Sequence, residues 1–284
     1  MSTDILIEKI IEKKNPTVAG LDPLCDYLPQ SMLRGDSPSE KAEAILQFNK
    51  ELIDALCDIV PAVKPQAAYY ELLGADGYKA FCETVKYAKS KGLYVISDGK
   101  RNDIGSTASA YSKGFFDCIG TDALTVNAYL GFDGVEPFLV EGKAIYILVK
   151  TSNRGSGQLQ DLELENGKKV YEHMGDLVAE WGEKSVGKHG YSDVGAVVGA
   201  TYPEQLAALR ERLPHTFFLV PGYGAQGGGA KDVAGAFRNG LGAIVNSSRG
   251  IMCAYKKQGL PTEKFAEAAR TEAIRMRDEI MGEI

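Results

Sequence analysis

Eight short apolar runs recur along this chain, and a stretch of helical period follows each one. That alternation limits the fold more than any other feature. The runs are TVAGLD (17–22), PAVKPQ (61–66), LYVISDGK (93–100), ALTVNA (123–128), IYILVKTS (145–152), GAVVGA (195–200), FFLVPG (217–222) and AIVNSS (243–248). Nearly all their residues are apolar and polar or glycine-bearing turns flank them, as expected of strands buried on both faces in a parallel sheet. Between them, residues 38–59 place Ile45, Phe48, Leu52 and Leu56 on one helical face. Residues 76–90, 104–118, 168–187, 203–212, 231–239 and 262–281 behave similarly, and only 133–141 is short. Eight β-then-α units predict a (β/α)8 TIM barrel, with an open doubly wound sheet as the alternative. No Pro/Ser-rich linker divides the 284 residues, so 1–284 reads as a single domain with an extra N-terminal helix.

Composition narrows the function classes. Net charge is −6, which disfavours a nucleic-acid surface. No apolar stretch approaches the roughly 18 residues that span a bilayer. The opening MSTDILIEKIIEKKNP carries charges throughout and reads as an amphipathic helix rather than a signal peptide. Cys25, Cys57, Cys82, Cys118 and Cys253 are odd in number and scattered, which suggests reduced thiols in a cytoplasmic protein. His173, His189 and His215 share no motif with each other or with the cysteines, so no metal site is expected.

A barrel puts its chemistry at the C-terminal ends of its strands. Polar residues gather there: Asp22, Lys64, Asp98, Lys100, Asn127, Thr151, Ser152, Ser247, Ser248 and Arg249. The densest group is YVISDGKRNDIGST (94–107), an apolar run ending in Asp98, Gly99 and Lys100 with Asp103 close behind. Strand alternation turns Asp98 and Lys100 the same way. Charges packed at the mouth of an apolar strand are costly unless paired, and they cluster where charge chemistry occurs. The plainer alternative is a surface turn with a salt bridge and a helix N-cap at Asn102 or Asp103.

After the seventh run comes PGYGAQGGGAKD (221–232). Gly222, Gly224 and Gly227 match G-x-G-x-x-G formally. A dinucleotide fingerprint, however, opens the first βαβ unit and needs an acidic residue further on, and GAIVNSSRG (242–250) has none. The backbone N–H groups of such a loop can still cradle a phosphate, with Arg249 beside it. The long irregular stretch 153–168 is a candidate active-site lid.

These motifs resemble the orotidine 5′-phosphate decarboxylase family, in its longer bacterial branch. The resemblance rests on AGLDP (19–23), VKPQAAYYE (63–71), SDGKRNDIGSTA (97–108), TSNRGS (151–156), PGYGAQGGG (221–229) and NSSRGI (246–251), in one order across the chain. It implies a catalytic array of Lys64, Asp98, Lys100 and Asp103, with Asp103 contributed across a homodimer interface. It further implies that Asp22 binds the ribose, that Thr107 reaches the partner's site, that Ser152 contacts the pyrimidine edge and that Gln226 and Arg249 grip the phosphate. The substrate implied is orotidine 5′-monophosphate and the product UMP, with no cofactor.

Loss of CO2 from C6 leaves a carbanion with no adjacent electron sink. Preorganised charge must then stabilise it, and Lys100 is placed to donate the proton. Three rivals share parts of the pattern. They are a metal-dependent sugar-phosphate decarboxylase, a Schiff-base aldolase using Lys64, Lys100 or Lys150, and a non-catalytic nucleotide-binding barrel.

Overall fold

The computed structural model describes residues 1–224 and 227–284. Eight parallel strands close on themselves in sequence order, with β8 pairing β1, so the open-sheet alternative is excluded. The strands are β1 (Thr17–Leu21), β2 (Ala62–Pro65), β3 (Tyr94–Arg101), β4 (Ala123–Val126), β5 (Ala144–Lys150), β6 (Val194–Val198), β7 (Phe218–Val220) and β8 (Ala243–Ser247). Each lies inside or within a residue of one of the eight apolar runs.

Alternation along the strands builds the barrel interior in layers. Tyr94, Ile96 and Asp98 follow one another inward on β3, as do Ala62 and Lys64 on β2, Ala123 and Thr125 on β4, and Tyr146 and Leu148 on β5. The lower members form a continuous apolar cluster with Val18, Phe217 and Ile244. The upper members face a cavity. Intervening residues such as Val63, Val95 and Leu124 point outward to the helices.

The extra helix, Ser2–Lys13, plugs the lower end. Leu6 and Ile7 are fully buried in the interior apolar cluster. Its first N–H groups, from Ser2 and Thr3, donate to the carboxylate of Asp193 at 3.1 and 2.7 Å, satisfying donors that a helix start otherwise leaves open. Asp4 in turn accepts from the backbone N–H groups of Lys188 and His189.

Three expected segments differ. The helix expected over 231–239 is the short turn Ala230–Ala234. It stops at Gly235, which packs against Ala207, and Asn239 and Gly240 both take positive φ. Only isolated 3-10 turns, Phe132–Gly134 and Glu136–Phe138, stand where 133–141 was read as a short helix. The 153–168 stretch is less irregular than expected, and it borders the cavity through Asn153 and Gln160. It holds a 3-10 turn and the helix Gly157–Gln160, tied down by Asp161 pairing with the fully buried Lys150 at 2.8 Å.

Candidate active site

Every strand sends a residue, or the residue just past its end, to the wall of a cavity of about 860 Å3 at the C-terminal mouth. Its lining includes Asp22, Lys64, Asp98, Lys100, Ser152 and Arg249. Leu148, Val197 and Leu219 form an apolar floor beneath them. Asn127 and Ser247, also polar at strand ends, do not reach this wall.

A chain of charge crosses the mouth. The Lys64 ammonium donates to Asp98 Oδ2 at 2.7 Å, and the Lys100 ammonium donates to Asp98 Oδ1 at 2.6 Å. Lys64 and Asp98 are buried, whereas the Lys100 side chain is 46 % exposed at the pocket opening. Burial alone would push the Asp98 carboxyl up. The charges and hydrogen bonds of Lys64 and Lys100 outweigh it and hold the group well below the usual carboxylate range. For Lys64, burial works against the charged form, but the Asp98 and Asp22 carboxylates prevail and raise its pKa. A buried lysine held so firmly protonated is a poor Schiff-base nucleophile.

Asp98 and Lys100 do point the same way, but not by simple alternation. The β3–β4 register breaks between Ser97 and Arg101, and Lys100 takes a left-handed φ of 45°. Such irregularities re-aim side chains beside active sites. The plainer reading as a capped surface turn does not hold. The residue before helix Gly105–Lys113 is Ile104, and no side chain caps it.

The remaining candidates divide into groups. Asp22 Oδ1 is buried without a hydrogen-bond partner and lies in the wall of the cavity, an acceptor placed for a ligand hydroxyl. Ser152 fits because Gly199 has no side chain there; a Cβ would come within 2.8 Å of the Ser152 backbone. Gly20 likewise leaves room for Ser248 and Asn246. Arg249 opens the short helix Arg249–Met252 after β8, at the pocket rim. Gln226 lies outside the described residues. The loop around it has positive φ at Gly222, Gly224 and Gly227. Tyr223 anchors that loop by donating its hydroxyl to Glu279 at 2.8 Å.

Asp103 and Thr107 do not line their own chain's cavity. Asp103 precedes the helix Gly105–Lys113 while Thr107 lies in its first turn, so the two residues do not share a helical face. Asp103 Oδ1 accepts the N–H of Ile104 at 2.8 Å.

The sequence reading missed Thr125, Gln66, Tyr69, Asn246 and Gln160, all of which line the cavity. Thr125 had a signal: it follows Ala123 by two residues in β4, in the same inward layer as Asp98. Among the described residues, no group of three His, Cys, Asp or Glu side chains is placed to hold a metal ion.

Comparison with known proteins gives a consistent result. Residues 19–259 match the model of the orotidine 5′-phosphate decarboxylase / HUMPS family. A Rhodopirellula baltica protein named orotidine 5′-phosphate decarboxylase is 45 % identical, with 96 % of each chain covered. A Clostridium perfringens protein of the same name is 44 % identical over 99 % of this chain and 98 % of its own. Among solved structures, Leishmania donovani OMP decarboxylase superposes with a TM-score of 0.74 at 32 % identity, covering 98 % of both chains.

Proposed function

The chain belongs to the orotidine 5′-phosphate decarboxylase / HUMPS family, and from that membership we propose that it converts orotidine 5′-monophosphate to UMP, without a cofactor, through the Lys64–Asp98–Lys100 array. The observation that carries the reading is the unbroken Lys64–Asp98–Lys100 chain of charge at the mouth of a cavity of nucleotide size.

In this reading Arg249, Gln226 and the loop N–H groups take the phosphate, Asp22 the ribose hydroxyls and Ser152 the pyrimidine edge. Remote binding then holds the substrate carboxylate against Asp98. The C6–carboxylate bond breaks, CO2 departs, and the electron pair stays on C6. The adjacent Lys100 ammonium stabilises that charge and transfers a proton to C6. Lys100 is exposed enough to regain its proton from water. Lys64 keeps Asp98 ionised and in place. Asp103 and Thr107 complete the site of a second subunit in a homodimer, which fits their position outside their own cavity. The five cysteines are unpaired, as suits a reducing compartment such as the cytoplasm. No helix of the described residues is long and apolar enough to cross a membrane.

The decisive assay follows the absorbance of orotidine 5′-monophosphate with purified protein, with and without a chelator. The reading expects equal turnover in both. Binding of UMP without turnover would leave a nucleotide-binding barrel, and loss of rate in chelator restored by Mg2+ would indicate a metal-dependent enzyme. The shared site has its own test. Inactive Lys100→Ala and Asp103→Ala homodimers, mixed and allowed to exchange, should recover activity in heterodimers that contain one intact site. Tagged heterodimers that stay inactive would place both residues in the same site.

A further inference from the structure

Thr125 lies in β4 beside the break in the β3–β4 register. It is buried, and it faces the cavity. Its hydroxyl donates to Asp98 Oδ1 at 2.9 Å and accepts the backbone N–H of Lys100, also at 2.9 Å. One oxygen thus ties the Asp98 carboxylate to the Lys100 backbone. Lys100 needs such a tie. A lysine at φ 45° is strained, and such a conformation persists only where its surroundings over-determine it. Gly99, just before it, is hemmed in by Phe115 and Leu124.

We infer that Thr125 is a positioning residue: it holds Lys100 in the left-handed conformation that aims its ammonium along Asp98 into the cavity. The inference rests on the proposed role of Lys100 as proton donor. Without the hydroxyl, the Lys100 N–H and Asp98 Oδ1 each lose a partner, and the Lys100 backbone can relax toward an ordinary strand. The groups proposed to hold phosphate and ribose, Arg249 and Asp22, follow other strands. The loss should therefore fall on the chemical step and not on substrate affinity.

The test compares Thr125→Val, which replaces the hydroxyl by a methyl, with Thr125→Ser, which keeps it. Thr125→Val should lower kcat about 10- to 100-fold, the scale of a small misplacement. Its KM should stay within about threefold of wild type, and Thr125→Ser should recover most of the rate. A second readout needs no reaction: amine labelling of Lys100, followed by peptide mass spectrometry, should be faster in Thr125→Val and unchanged in Thr125→Ser. If Thr125→Val does not fold, Thr125→Ala carries the same expectations.

A wild-type kcat in the hydroxyl-free variant would overturn the inference. So would an equal loss in Thr125→Ser, or a loss of kcat with unchanged Lys100 labelling. Absence of turnover in the wild-type protein would instead count against the proposed function, and the labelling comparison would still report whether Thr125 holds Lys100.

Discussion

Asp98 and Asp193 are each 7 % exposed and sit at opposite ends of one barrel, yet their carboxyls shift in opposite directions. Burial pushes both up. At the lower end Asp193 meets chiefly the N–H dipoles of Ser2 and Thr3, which offset only part of that push, so its pKa stays raised. At the upper end Asp98 meets two ammonium groups and is pulled well below the ordinary range. Their solvent exposure is the same, and the Asp98 carboxyl is the more deeply set, so what faces each carboxylate decides. Backbone donors make a helix cap that locks the plug, while paired cations make a preorganised charge array open to a cavity. In the proposed function the lower end carries stability and the upper end chemistry, a division that barrels favour generally.

Substitutions at the two ends should separate these roles. The largest effect belongs to Asp98→Asn. It leaves the buried Lys64 ammonium without its closest counter-charge, so about 3–5 kcal/mol of stability should go along with the activity. Denaturant unfolding and turnover measured on the same variant check both losses, and a stable, active variant would erase the contrast between the ends. Leu6→Ala, in the plug, should cost about 2–5 kcal/mol of stability but leave kcat near wild type at a temperature where the protein stays folded. A collapse of kcat there would show that the plug reaches the chemistry. Arg249→Ala should lower kcat/KM for orotidine 5′-monophosphate by about 1.5–3 kcal/mol, the worth of a hydrogen bond to a charged group. Free orotidine should be much less affected, and equal losses for both would remove the phosphate assignment.

Asp193→Asn should do least. Both Asp193 carboxylate oxygens accept backbone N–H bonds and an amide offers only one oxygen, so kcat should stay near wild type while stability at neutral pH falls by about 1–3 kcal/mol. Its pH dependence is the finer probe. Asp193 has a raised folded pKa and binds its proton in the fold before the unfolded chain does. Wild type should therefore gain stability over Asp193→Asn as pH falls through that folded pKa toward the ordinary 3.8. Asp98 has the opposite sign. Its stabilisation is complete above the ordinary 3.8 and is lost as pH falls below it toward the depressed folded value. Matched pH–stability curves of wild type and Asp193→Asn that run parallel would show that Asp193 is not shifted.

The layered barrel was legible because buried parallel strands leave uninterrupted apolar runs, and each of the eight runs became a strand. Lys64, Asp98 and Lys100 stood out for the complementary reason: a charge at the end of such a run has no structural motive. Thr125 and Asn246 escaped notice because an uncharged side chain inside a strand gives no such contrast. The left-handed Lys100 was equally hidden, since the β3 break depends on pairing with β4, which the local sequence does not encode. The 231–239 helix failed at Gly235 and Asn239, where a close approach to Ala207 and a positive φ override an amphipathic pattern.

The rate of orotidine 5′-monophosphate decarboxylation by Lys100→Ala bears most directly on the proposed chemistry. Lys100 sits at the opening of the pocket and is exposed, so its removal should leave the fold and UMP binding largely intact. Turnover should fall by about 10^2- to 10^4-fold or more, because the variant loses both the charge that stabilises the carbanion and its proton donor. A variant that binds UMP and turns over within about tenfold of wild type, a difference of roughly 1.4 kcal/mol, would contradict Lys100 as the acid.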